Sequence, residues 1–135
     1  MKAIPIILFL LGTLLCPKGL FAQEELPHAF DPAFVHVVYF WLHHPDNPEQ
    51  LQAFETALRN FLSNSRNAKT RFIGRPPKAT RDVVDDSFTY SMIVTFESAG
   101  AQAAYQAEQA HLDFIAGAGH LWKKVVVYDA LGLDP

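Results

Sequence analysis

The sequence predicts an α+β domain: a four-stranded antiparallel sheet with its helices on one face. Two observations carry that prediction. Extended and helical segments follow one another in the order β-α-β-β-α-β, and the first strand is apolar on both faces. Composition agrees, since 135 residues that are 50% hydrophobic, 13% aromatic and 19% charged make one small globular domain and not a disordered or fibrous chain. The formal charge is −3, from 11 Lys+Arg against 14 Asp+Glu, and no basic run is present to track a phosphate backbone, which argues against a nucleic-acid partner.

The N-terminal segment reads as a targeting signal. Lys2 precedes an apolar run from Ile4 to Leu15, followed by Pro17, Gly19 and Ala22, the charged, hydrophobic and small-residue order of a secretory leader. The run falls short of the ~20 apolar residues that a spanning helix needs. Cleavage after Ala22 gives a signal peptide over residues 1–22 and an exported, periplasmic or secreted protein without membrane attachment. A lipid anchor on Cys16 is disfavoured by bulky Leu15 before it. Loss of Lys2, Cys16 and Lys18 leaves an acidic domain without cysteine, which excludes disulfides and thiol chemistry. A domain of this size buries about 65% of its unfolded surface, a thin margin that pairing with a second copy would improve.

Residues 23–32, with two prolines and no periodicity, suit a flexible leader. Ala33 to Leu42 is rich in β-branched and aromatic residues and forms the first strand. Its faces are Phe34, His36, Val38, Phe40, Leu42 and Val35, Val37, Tyr39, Trp41, so cover is expected on both sides. Asn47 caps a helix that opens with Pro48 and carries Leu51, Phe54, Leu58, Phe61 and Leu62 at helical spacing. Thr70 to Ile73 is a short second strand closed by Gly74 and the Pro76–Pro77 pair. Arg75 to Ser87 is a polar connection long enough to be a functional loop. Phe88 to Phe96 alternates as a third strand. Ser98 caps an Ala-rich helix to about Gln106, and a second helical piece runs from His111 to Ala118. Lys124 to Asp129 is the last strand, and residues 131–135 are a tail. The order is that of a ferredoxin-like βαββαβ sheet, whose bare face is the natural place for a partner subunit.

Six histidines follow residue 22, yet their spacing argues against a metal, whose ligands must converge within ~2.1 Å of one ion. His43 and His44 are neighbours that point apart on an extended chain, and a break in the helix would be needed to join His111 with His120. His36 has two readings: a core histidine with one hydrogen bond, or a neutral imidazole lining an apolar cleft. Tyr105 and His111 flank the break between two helical pieces, where one could hold a carbonyl oxygen and the other move a proton. The plain alternative is packing at a helix junction. Trp122 would add an aromatic wall, although a buried aromatic usually means core. Ser63 and Ser65 lack a Gly-x-Ser-x-Gly setting, and no glycine-rich phosphate cradle is present.

Taken together, FVHVVYFWL at 34–42, RFIGRP at 71–76, YSMIVTFES at 90–98, Tyr105, His111 and HLWKKVVVYD at 120–129 resemble the stress-responsive dimeric α/β-barrel family, often called Dabb. The resemblance spans about residues 33–130. It implies a homodimeric barrel in which two open sheet faces stack, and a cleft between sheet and helices like that of the family's plant polyketide cyclases. It further implies pocket residues at His36, Phe40 and Trp122, and a tyrosine and histidine at Tyr105 and His111 that act in aldol-type cyclisation. The family often writes His-Pro-x-His where this chain has Glu108, Gln109, Ala110 and His111. No cofactor is implied, and a heme or metal form as in some related barrel dimers lacks a ligand setting here. The expectation is a homodimer whose cleft binds a small apolar carbonyl or aromatic compound, with cyclase- or lyase-type acid–base chemistry. The alternative is a non-catalytic, stress-related structural dimer.

Overall fold

The computed structural model describes residues 33–133. The signal peptide expected over residues 1–22, the leader expected over 23–32 and the last two residues of the chain lie outside the described residues. The elements run β1 (Phe34–Leu42), α1 (Pro48–Asn64), β2 (Arg71–Gly74), β3 (Tyr90–Phe96), α2 (Ala99–Gln106), α3 (Gln109–Ala118), a single 3₁₀ turn (Gly119–Leu121) and β4 (Trp122–Leu131). The sheet is antiparallel throughout in the order β2-β3-β1-β4, which is the ferredoxin-like α+β arrangement.

Local chemistry accounts for most boundaries. The Asn47 side chain accepts from the amides of Glu49 and Gln50 at 3.0 and 3.1 Å, satisfying donors that have no helical partner. Ser98 does the same for Ala101 at 3.1 Å. The third strand begins at Tyr90, two residues later than its alternation suggests, because the Thr89 hydroxyl takes the Leu42 amide at 3.0 Å where a ladder carbonyl would stand. The last strand is longer than predicted at both ends, since β1 pairs with it from Phe34↔Leu131 to Leu42↔Trp122 across a bulge. Leu131 is therefore sheet and not tail.

One face of the sheet, with Phe34, His36, Val38, Phe40, Leu42, Tyr90, Met92, Val94 and Phe96 all buried, packs against Phe54, Leu58, Phe61 and Leu62 of α1, Tyr105 of α2 and Phe114 of α3. On the opposite face Val35, Val37, Tyr39 and Trp41 are only half-buried. The helices also stop short of the β4 edge. Val125, Val127 and Leu131, which share the helix-side face with Phe40, Val38 and Phe34, are 44, 46 and 67% exposed, and Tyr128 on the open face is 63% exposed. The outer strand therefore shows apolar side chains on both sides.

Candidate functional site

His36 sits mid-strand on the helix side and is buried. The register places it opposite Asp129 of β4, and paired residues of adjacent strands project on the same side. The two side chains meet, His36 Nδ1 lying 2.5 Å from Asp129 Oδ1. A carboxylate oxygen is an acceptor, so Nδ1–H donates and the ring is held with Nε2 turned to other uses. His36 is thus a buried residue with one bond satisfied, and that bond orients the rest of the ring. Asp129 was not singled out by the sequence, because nothing local marks it.

Tyr105 closes α2 and is fully buried. Its ring packs edge-on against Phe96 at 4.8 Å and His36 at 5.8 Å, and lies 5.4 Å from Phe61 and 5.2 Å from His111. Among the described residues its hydroxyl has no hydrogen-bond partner. Burial, helped by the negative charges of Glu108 and Asp129, pushes the phenol well above its ordinary pKa. The hydroxyl therefore stays protonated and is a donor without an acceptor, in surroundings where an unmade hydrogen bond costs about 1–3 kcal/mol.

The chain breaks between α2 and α3 at Ala107 and Glu108. The Glu108 amide donates to Tyr105 O at 3.1 Å, and the His111 amide donates to Glu108 O at 3.0 Å, so one residue's backbone sets the spacing of the pair. His111 Nδ1 donates to the Gln106 carbonyl at 3.1 Å, which leaves the Nε2 lone pair free. Burial lowers the His111 pKa, as does His36, and outweighs the opposing effects of the Gln106 bond and Glu108. A neutral imidazole with a free Nε2 is suited to accept a proton at neutral pH.

Phe40 and Trp122 form a separate group. Their rings are 5.5 Å apart, and Trp122 stacks on Phe114 at 5.4 Å and meets Phe54 at 6.0 Å. Phe61, stacked on Phe114 at 5.1 Å, links this group to Tyr105 and His111. The structure thus brings together His36, Tyr105 and His111, and sets Phe40 and Trp122 beyond a layer of phenylalanines. A groove of about 670 Å³ opens between α1 and α3 and is lined by Asn60, Phe61, Arg66, Glu108 and Asp113 among others, but by neither Tyr105 nor His111. Phe61 is common to the groove and to the buried rings. No group of three His, Cys, Asp or Glu side chains able to hold a metal occurs among the described residues, and none of their helices is long and apolar enough to cross a membrane.

A family model, the stress responsive A/B barrel domain, matches residues 34–131. The chain belongs to that family. Solved structures similar to this A/B barrel domain include a Dabb family protein with a ferredoxin-like fold from Mesorhizobium loti, with TM-score 0.63 and 19% identity over 75% of this chain and 97% of that one. The hydroxynitrile lyase of Passiflora edulis has TM-score 0.64 and 20% identity over 78% of this chain and 98% of its own. A dimeric ferredoxin-like protein of unknown function from Thermobifida fusca has TM-score 0.58 and 16% identity over 73% and 89%. At these identities the likeness shows the fold alone. No curated protein sequence matches the chain. Family membership accounts for the topology, while the chemistry of this A/B barrel domain must be argued from its own side chains.

Proposed function

We propose that this A/B barrel domain acts as an exported homodimer that binds a small, mostly apolar carbonyl or aromatic compound beside Tyr105 and performs cofactor-free acid–base chemistry of the lyase or cyclase type on it. The observation that carries the reading is the Tyr105 hydroxyl, fully buried, without a partner among the described residues, and set between two imidazoles. A carbonyl oxygen supplies the acceptor that this donor lacks.

In this reading Tyr105 donates to the carbonyl oxygen, His111 Nε2 takes and returns the proton, and His36, steadied by Asp129, lines the pocket. Phe40 and Trp122 stand behind the phenylalanine layer that separates them from Tyr105. For a cyanohydrin, His111 would accept the hydroxyl proton while the carbon–carbon bond to the nitrile breaks. The carbonyl forms against Tyr105, cyanide leaves with the bonding pair, and the imidazolium returns the proton to it. Cleavage of that kind is suggested by the Passiflora edulis neighbour's name. Dimerisation is supported by the exposed apolar residues on both sides of β4 and by neighbours from Thermobifida fusca and Bacteroides fragilis described as dimeric. Export rests on the signal-like order of residues 1–22.

The test is turnover of a panel of aldehydes, ketones and cyanohydrins by the wild type and by His111→Ala. Loss of rate in the variant supports the assignment, and equal rates reject the catalytic role. A second reading, a non-catalytic structural dimer, is favoured by the way Phe54, Phe61 and Phe114 fill the space between sheet and helices. Under it, calorimetry with the same panel detects no binding.

A further inference from the structure

Glu108 stands where the family often has histidine, and its contacts differ from those of a surface carboxylate. Its Oε1 accepts from the Arg66 amide at 3.0 Å, the Asn67 amide at 3.0 Å and the Asn67 side-chain amide at 2.6 Å. Those donors lie in the loop after α1, 41 and 42 residues away in sequence. Its backbone carries the two bonds that space Tyr105 from His111. One side chain therefore ties the α2–α3 junction to α1, while Oε2 is buried without a partner among the described residues.

We propose that Glu108 is a positioning residue for the Tyr105–His111 pair, its carboxylate fixing the junction against the loop after α1 and holding a negative charge near the imidazole of His111. The role as an aid to catalysis rests on the function proposed above, whereas the geometry stands without it. Burial alone would raise the Glu108 pKa; hydrogen bonds from Ser65, Asn67 and the two loop amides outweigh it and keep the carboxyl below its ordinary value, so the charge persists at neutral pH. The groups acting on His111 from the elements packed around it are His36 of β1, the Gln106 carbonyl at the end of α2, and Glu108 itself. Of these Glu108 is the one anion, and it favours the imidazolium that forms when His111 takes a proton.

The test is the NMR titration of His111 in the wild type, Glu108→Gln and Glu108→Asp, with each fold checked by circular dichroism. Glu108→Gln keeps an accepting oxygen in the loop and removes the charge, so the His111 midpoint moves to lower pH. Glu108→Asp keeps the charge, and its midpoint stays closer to the wild type than that of Glu108→Gln. A midpoint unchanged or raised in Glu108→Gln overturns the proposal, as does an Asp variant that titrates like the Gln variant. If Glu108→Gln fails to fold, Glu108→Asp decides alone: a midpoint below the wild type by more than the change in a control on the exposed β2–β3 connection, Asp82→Asn, rejects it. Should the wild type turn over none of the carbonyl panel, the proposed function fails and the titration still judges Glu108. Should it turn over substrate with His111 insensitive to Glu108, only the positioning role fails.

Discussion

His36 Nδ1 and Asp129 Oδ1 lie 2.5 Å apart although 93 residues separate them in the chain. The pair couples the buried face of β1 to the half-exposed edge strand β4, and it fixes which ring nitrogen carries the proton.

Replacing Asp129 by Ala removes the acceptor and leaves a buried imidazole N–H unpaired. The carboxylate is 43% exposed, so solvent screening tempers the loss. Urea denaturation is expected to show a destabilisation of about 1 kcal/mol. Nitrogen chemical shifts of His36 are expected to change from the Nδ1–H tautomer to a mixture.

The aromatic layer should be costly to breach. Phe61 touches Tyr105, His111 and Phe114 and is 3% exposed. Phe61→Ala is expected to lose about 3–5 kcal/mol, a large share of the roughly 5–15 kcal/mol that a domain of this kind has. The same change joins the α1–α3 groove to Tyr105, so the variant should bind small aromatics more tightly in calorimetry, provided it stays folded.

Stability should fall with acid through His111. Its folded pKa is depressed, chiefly by burial, below the ~6.5 of an unperturbed imidazole. Between the two values the unfolded chain binds more protons than the folded one, so stability rises with pH there. The contribution is full above about pH 6.5 and is lost as pH falls through the folded pKa. His111→Gln should flatten this part of the stability–pH curve measured by thermal melting.

The edge strand carries the assembly prediction. Val127 is on its helix side and Tyr128 on its open side, both exposed in one subunit. Sedimentation velocity should give a dimer for the wild type, and Val127→Asp with Tyr128→Asp should shift it to monomer. A wild type that stays monomeric at tens of micromolar rejects the homodimer.

Strands and helices with self-contained signals were legible in the sequence. β1 has β-branched and aromatic residues on both faces, and α1 has a cap, a proline and a regular apolar stripe. The extension of β4 to Leu131 was not, because the pairing partner Phe34 that makes it strand lies almost a hundred positions away. The same distance hid Asp129. Within the site, Tyr105 and His111 were legible from the helix break between them, and the structure does bring their rings together. Glu108 looked like an absent histidine, since its work is done on the far loop. The filling of the cleft by Phe54, Phe61 and Phe114 could not be read either: an apolar stripe says that a helix packs, not whether it leaves space.

The central claim is that the Tyr105 hydroxyl is kept for a ligand and not for the fold, and Tyr105→Phe tests it most directly. The change deletes a buried donor that has no partner among the described residues, so stability in urea should be unchanged or higher by up to about 1 kcal/mol. Turnover of the carbonyl panel should collapse in the same variant. A Tyr105→Phe protein that is clearly less stable than the wild type, or that matches its rate, would contradict the account.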